Sequence, residues 1–199
     1  MAFAPREGRR VIAVVYAHPY PMHSRACRVL LGAIESLPGV SVRSLYDRYP
    51  DFDIDAAAEQ AALAEARLVV WMHPLYWYTA PALMKLWFEQ VLVKGWAYGE
   101  DGDALAGKDC LWVTTTGGDE IAFSPEGRHG HRIDAFAPVV EQTARFCGMN
   151  WLEPFVVHGA HIISDAALHE AAERLRQRVQ QWSEGQKALE PQMNTDEHR

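Results

Sequence analysis

The chain has 199 residues, is 49% hydrophobic and carries a formal net charge of -7, which suits one domain with a sizeable core. The acidic balance and the lack of Lys/Arg clusters argue against a nucleic-acid surface or an anionic membrane patch as its main partner. Cys27, Cys110 and Cys147 are far apart and form no C-x-x-C pair, so neither a disulfide framework nor a structural zinc site is indicated, and a reducing cytoplasm fits best.

Val11 to Ala17 opens the chain's regular structure as a run of β-branched and apolar residues without polar alternation, the pattern of a strand buried on both faces. It ends in Ala17-His18-Pro19-Tyr20-Pro21-Met22-His23-Ser24-Arg25, before a helix predicted over Arg25 to Ser36. The start of that helix offers unpaired amides to an anion. Ser24 and Arg25 complete a phosphate cradle, with His18 a further donor. A cap at Ser24 and a solvated Arg25 explain the same residues. This turn has no G-x-G-x-x-G, which argues against a dinucleotide site of the NAD-binding kind.

Val40 to Leu45 is a weaker strand, and Asp51, Asp53 and Asp55 lead into a helix over Ala56 to Ala66. The three acids resemble the start of a calcium loop, but Ala56 stands where the turn glycine belongs and Ala62 where the bidentate Glu belongs. A helix N-terminus that favours acids accounts for them better. Leu68 to Met72 is the next buried strand. It runs into His73-Pro74-Leu75-Tyr76-Trp77-Tyr78-Thr79-Ala80-Pro81, a loop dense in aromatics. An open α/β sheet binds ligands at the carboxyl ends of its strands, so this loop is placed to stack on a planar ring. The same residues also suit a core plug or a dimer surface.

A helix over Pro81 to Val93 precedes Gly102 to Asp109, which nearly matches a nucleotide P-loop. Asp109 replaces the required Ser/Thr, however, and the segment comes before a strand instead of after one. That strand, Leu111 to Thr116, closes in Thr114-Thr115-Thr116-Gly117-Gly118-Asp119, where glycines let the backbone approach a ligand. A plain turn would favour the same pair. Phe123 to His131 is a Gly- and Pro-containing segment that can fold over the crevice as a lid carrying His129; an exposed histidine without a role is the alternative. Asp134 to Cys147 reads as a helix and Phe155 to His158 as a strand. His158 and His161 have no further ligand spaced to share a metal, and no metal is assigned.

The final helix, Asp165 to Trp182, buries Leu168, Ala172, Leu175, Val179 and Trp182. The expected unit is residues 1–183, a three-layer α/β sandwich whose five-stranded parallel sheet has helices on both faces, with 184–199 a disordered tail. No apolar run approaches the roughly 20 residues of a membrane span, and Met1 to Arg10 lacks a signal's apolar core. No G-x-S-x-G elbow is present, which argues against a hydrolase on this sheet.

Val-Tyr-Ala-His-Pro, Trp-Met-His-Pro-Leu-Tyr-Trp-Tyr, Lys94-Gly95-Trp96-Ala97-Tyr98-Gly99, Thr-Thr-Gly-Gly and Phe146-Cys147-Gly148 together resemble the flavodoxin-like NAD(P)H:quinone oxidoreductases. The likeness is strongest to the ancillary flavoproteins of the glutathione-gated potassium efflux system. The resemblance runs from about Arg10 to Trp182. It implies FMN, with FAD the alternative, held by His18, Ser24, Arg25, Ala26 and Cys27 at the phosphate and ribityl end. Leu75, Tyr76, Trp77 and Tyr78 would take the ring, and Thr115, Thr116, Gly117 and Gly118 its pyrimidine edge. It also implies ping-pong hydride transfer from NAD(P)H to flavin to quinone, a homodimer with Lys94 to Gly99 near the partner, and cytoplasmic docking to a potassium efflux transporter at the inner face of the membrane. In the family's lid a Tyr and a His assist charge relay. His129 matches the His, while Phe123 stands where the Tyr belongs and leaves His129 the only candidate donor.

Overall fold

The computed structural model describes residues 11–20, 22 and 24–188. Met1 to Arg10 and the tail beyond Ala188 lie outside the described residues. Strands β1 (Val11–Tyr16), β2 (Val40–Ser44), β3 (Ala66–Pro74), β4 (Asp109–Thr115), β5 (Asn150–Trp151) and β6 (Phe155–Val157) form one parallel sheet in the order β2-β1-β3-β4-β5, with β6 also on β4. The two short strands pair with opposite ends of β4, Asp109–Cys110 and Val113–Thr115. They act as one fifth strand, broken at Leu152-Glu153-Pro154, where Pro154 has no amide to donate.

The strands are continuous apolar runs because both faces are covered. Ile12, Val14 and Tyr16 point to one layer together with Leu68, Val70, Leu111 and Val113, under helices α1 (Arg25–Glu35) and α6 (Asp165–Ala188). Ala13, Val15, Val69, Trp71 and Trp112 point to the other, under α3 (Ala56–Glu65), α4 (Ala82–Val91) and α5 (Ala137–Phe146). Trp71, Trp87 and Trp112 are fully buried in that second layer. The result is the three-layer sandwich expected.

A one-turn helix, α2 (Leu45–Arg48), follows β2 where the sequence predicts only a strand end. Helix α5 begins at Ala137, after a 3-10 turn over Ile133–Ala135, instead of at Asp134. Pro138 in its first turn fixes a start there. Asp55 caps α3, accepting from the Ala58 amide at 2.9 Å. Leu168, Ala172, Leu175 and Val179 are buried as their spacing predicts, but α6 continues past Trp182 to Ala188. The helix thus runs into 184–188, residues that the sequence assigns to the tail.

Candidate functional site

The carboxyl ends of β1, β3, β4 and β6 lie side by side, and backbone bonds lace them together. Ala17 N donates to Met72 O at 3.0 Å, Leu75 N to Thr115 O at 2.8 Å, and Thr116 N to Val157 O at 3.0 Å. Strand order reverses between β1 and β3, the position where an open parallel sheet leaves its ligand crevice. The loops after β3 and β4 face one another across a crevice of about 410 Å³ lined by Leu75, Trp77, Tyr78, Gly117, Gly118 and the lid residue His129.

Below the first loop, Ser24 is buried yet makes no side-chain cap to α1. The first-turn amides at Ala26 and Cys27 therefore lack the partner that a serine N-cap usually provides. The Tyr16 hydroxyl, buried at the end of β1, makes no well-formed hydrogen bond and has the Ser24 side chain as its polar neighbour. Both features suit a polar ligand at this end. Arg25 is otherwise engaged: its guanidinium donates from Nε to Asp165 Oδ1 at 3.0 Å, with Nη2 on the same oxygen, and to the Ile163 carbonyl at 2.8 Å. It ties α1 to α6 as it stands. His18 Nδ1 accepts from the Tyr20 amide at 3.1 Å, so the ring's proton lies on Nε2. Burial lowers the His18 pKa, and the ring serves as a neutral donor. Cys27 Sγ lies 3.3 Å from Thr115 Oγ1 inside the core, and burial pushes its thiol up.

The aromatic loop is a tight hairpin. Tyr76 and Thr79 form an antiparallel bridge, closed by Thr79 N to Tyr76 O at 3.0 Å. Trp77 and Tyr78 both have left-handed backbones, with φ of 50° and 63°, the geometry of a type I′ turn that usually takes Asn-Gly. Trp77 is 90% exposed and projects from the crevice mouth. Beneath the loop, His73 is wholly buried. Its Nε2 accepts from Trp112 Nε1 at 3.1 Å and its Nδ1 donates to Pro74 O at 3.0 Å. Burial drives its pKa down to about 4, so it holds the loop's root as a neutral ring.

Thr115 and Thr116 turn their hydroxyls inward. Thr116 Oγ1 donates to Gly118 O at 2.7 Å and, having spent its only proton, accepts from His158 Nδ1 at 3.0 Å. These residues shape the Thr-Gly-Gly turn, and what they offer a ligand is backbone. A Cβ on Gly118 would sit 3.0 Å from His129 Nε2 and 3.1 Å from Ala122 Cβ, so a larger residue here would crowd the lid. His129 stacks on buried Phe123, centroids 4.2 Å apart, and its Nδ1 lies 3.3 Å from Tyr78 Oη.

His161, considered in the sequence only as a metal ligand and not assigned, lines the crevice beside Gly117. Its position just after β6 was the available signal, since residues at strand carboxyl ends face the ligand. The near-P-loop lies at the opposite end of β4. Lys108 there donates to Ala64 O at 2.9 Å and Ala66 O at 2.6 Å, closing the C-terminus of α3. Among the described residues no three His, Cys, Asp or Glu side chains gather to hold a metal ion. No helix among them is long and apolar enough to cross a membrane.

The parallel sheet, its 2-1-3-4-5 order and the ligand crevice at its reversal point define the class. The chain belongs to the family described by its flavodoxin-like fold, which it matches over residues 11–179. Within that family it is similar to the glutathione-regulated potassium-efflux system ancillary protein KefF of Citrobacter koseri, with 47% identity over 87% of this chain and 98% of that one. The protein of the same name from Klebsiella aerogenes is 49% identical over 87% and 97%. Among solved structures, the general stress protein 14 of Treponema denticola in complex with FMN superposes with a TM-score of 0.76 at 30% identity, over 88% of this chain and 98% of that one. A NADPH-quinone reductase from P. pentosaceus gives 0.77 at 27%, over 84% and 96%. A protein named as a thermophilic tryptophan halogenase gives 0.81 at 34%, over 85% and 98%. The names differ, and the fold is what these neighbours share.

Proposed function

We propose that the protein is an FMN-dependent NAD(P)H:quinone oxidoreductase working by a ping-pong cycle, NAD(P)H plus a proton plus quinone giving NAD(P)⁺ and hydroquinone. The observation that carries the reading is the convergence of an aromatic hairpin and a Gly-Gly turn on one crevice, with an uncapped helix start following the adjacent strand β1. The residues fit the group. The uncapped Ala26 and Cys27 amides, Ser24 and His18 would hold the phosphate and ribityl end. Leu75 to Tyr78 would hold the ring, and the backbone from Thr115 to Gly118 its polar edge. When bound, FMN supplies two-electron chemistry, accepting a hydride and returning the electron pair to a second substrate. The chain's own share is to orient both substrates in one slot, exclude water with the lid and present His129 to the reacting oxygen. Equilibrium titration of the flavin-free protein with FMN, read by quenching of flavin fluorescence, tests this. Saturable one-to-one binding is expected, and no binding would sink the reading.

The names of the relatives favour a second, compatible reading, a regulatory subunit of a glutathione-gated potassium efflux transporter working from the cytoplasmic side of the membrane. Pull-down with such a transporter's cytoplasmic domain tests it. A homodimer belongs to the same proposal. A groove of about 970 Å³ runs past Tyr20, Phe52, Trp77, Val139 and Phe146, all of them exposed apolar side chains. The Lys94 to Gly99 segment borders it through Tyr98. Sedimentation at micromolar concentration should give twice the chain mass.

A further inference from the structure

We propose that the Tyr78 hydroxyl is the orienting partner of His129, fixing the imidazole proton on Nε2 so that Nε2–H is the donor offered to a quinone oxygen. This deepens the quinone-reductase reading and rests on it. The lid sequence has Phe123 against His129, with no hydroxyl to give. A hydroxyl nevertheless reaches the imidazole, from a different element: Tyr78 Oη lies 3.3 Å from Nδ1, and the two rings meet edge to face at 5.7 Å.

Tyr78 is held there from both sides. Its ring stacks on Phe136 at 5.1 Å and 24°, and its left-handed backbone, next to that of Trp77, pitches the ring toward the lid. Two successive bulky residues in that region cost free energy that a plain turn would avoid. A conformation held at such cost argues for a task at this position.

The direction of the bond follows from the groups. A phenolic oxygen is a weak acceptor because its lone pair is shared with the ring, whereas an imidazole nitrogen is a good one, so Tyr78 donates and Nδ1 accepts. The remaining proton is then on Nε2, the nitrogen beside Gly118 in the crevice. In turnover the Nε2–H bond breaks as the quinone O–H bond forms, while Nδ1 takes the Tyr78 proton. The cycle resets when Nε2 takes a proton from solvent and Nδ1 returns its proton to the oxygen of Tyr78, which is 42% exposed, restoring the Nε2–H tautomer. The electron pair is the one NAD(P)H supplies. Tyr78 is thus a positioning residue acting through His129.

Long-range ¹H–¹⁵N NMR of the imidazole nitrogens reads the tautomer directly in flavin-free protein, with His129→Gln giving the assignment. The wild type should favour Nε2–H by about fivefold or more beyond the preference a free imidazole already has for that tautomer, and Tyr78→Phe, which keeps the ring contacts, should fall back to that free preference. With FMN supplied, Tyr78→Phe should lower kcat for quinone about tenfold and leave KM for NAD(P)H unchanged. Equal tautomer populations in the two proteins, or Nδ1–H in the wild type, would overturn the assignment. Because the NMR comparison needs no flavin, failure to bind FMN sinks the reductase reading by itself and is told apart from failure here.

Discussion

His73 Nε2 accepts the indole N–H of Trp112 across 3.1 Å in the fully buried centre of the sheet. The bond joins β3 to β4 directly under the two loops that build the crevice, and it requires a neutral imidazole. The folded pKa of about 4 lies below the ordinary 6.5. The unfolded chain therefore takes up the proton first as pH falls. Stability tied to this ring is complete above about pH 6.5 and drains away down to about pH 4, by at most about 3 kcal/mol. His18 and His158, also lowered by burial, act in the same direction. His73→Leu leaves the Trp112 N–H without its acceptor and should cost about 1–3 kcal/mol at pH 7.5. Urea unfolding should show the gap to wild type narrowing at pH 5, and a constant gap would contradict the linkage.

Glu59 is 0% exposed, yet it remains ionised. Burial pushes its carboxyl up, but hydrogen bonds from Arg43, Tyr49 and Trp87 outweigh that and hold it below its ordinary value. Arg43 Nη2 and Tyr49 Oη donate to Oε1 at 2.5 and 2.7 Å, and Trp87 Nε1 donates to Oε2 at 3.1 Å. The carboxylate thus pins α3 to β2, α2 and α4, the helix that follows the aromatic loop. Glu59→Ala strands Arg43 and should destabilise the fold by about 3–5 kcal/mol. Denaturant midpoints check this, and a loss under about 1 kcal/mol would mean that the network contributes little.

Much of this architecture was legible in the sequence because its causes are local. Unbroken apolar runs mark strands covered on both faces, and the three- and four-residue spacing of Leu168, Ala172, Leu175 and Val179 marks the face of α6. The loops after β3 and β4 could be assigned to one crevice because parallel topology gathers strand ends. What was hidden depends on partners distant in the chain. Arg25 is claimed by Asp165, 140 residues away, and Tyr78 meets His129 across 51. Nothing local to Phe123 shows that another hydroxyl reaches the same imidazole. The inward turn of Thr115 and Thr116 was equally invisible, because Cys27 and His158 decide it.

Gly118→Ala should disturb the lid without unfolding the domain. The new Cβ would press on His129, Ala122 and Phe123 at 3.0 to 3.3 Å, a crowding worth about 1–3 kcal/mol if the lid stays in place. A small fall in Tm with a larger fall in quinone turnover is expected. Unchanged turnover would mean that lid closure is not needed.

Trp77 combines strain with exposure, so Trp77→Gly should separate stability from ligand binding. Relief of the left-handed backbone, set against the entropy of glycine in the unfolded chain, should leave the fold about 0.5–1 kcal/mol more stable. FMN retention should weaken, because the mutant lacks the ring at the crevice mouth. Calorimetry and an FMN titration on the same samples check both signs, and undiminished flavin affinity would place the ring elsewhere.

The most direct test of the central claim is anaerobic addition of NADPH or NADH to the FMN-loaded protein, following the oxidised flavin band near about 450 nm, and then addition of a quinone. The account predicts rapid bleaching by the nicotinamide and full recovery of the band on adding quinone. A flavin that binds but neither bleaches nor recovers would contradict the oxidoreductase reading.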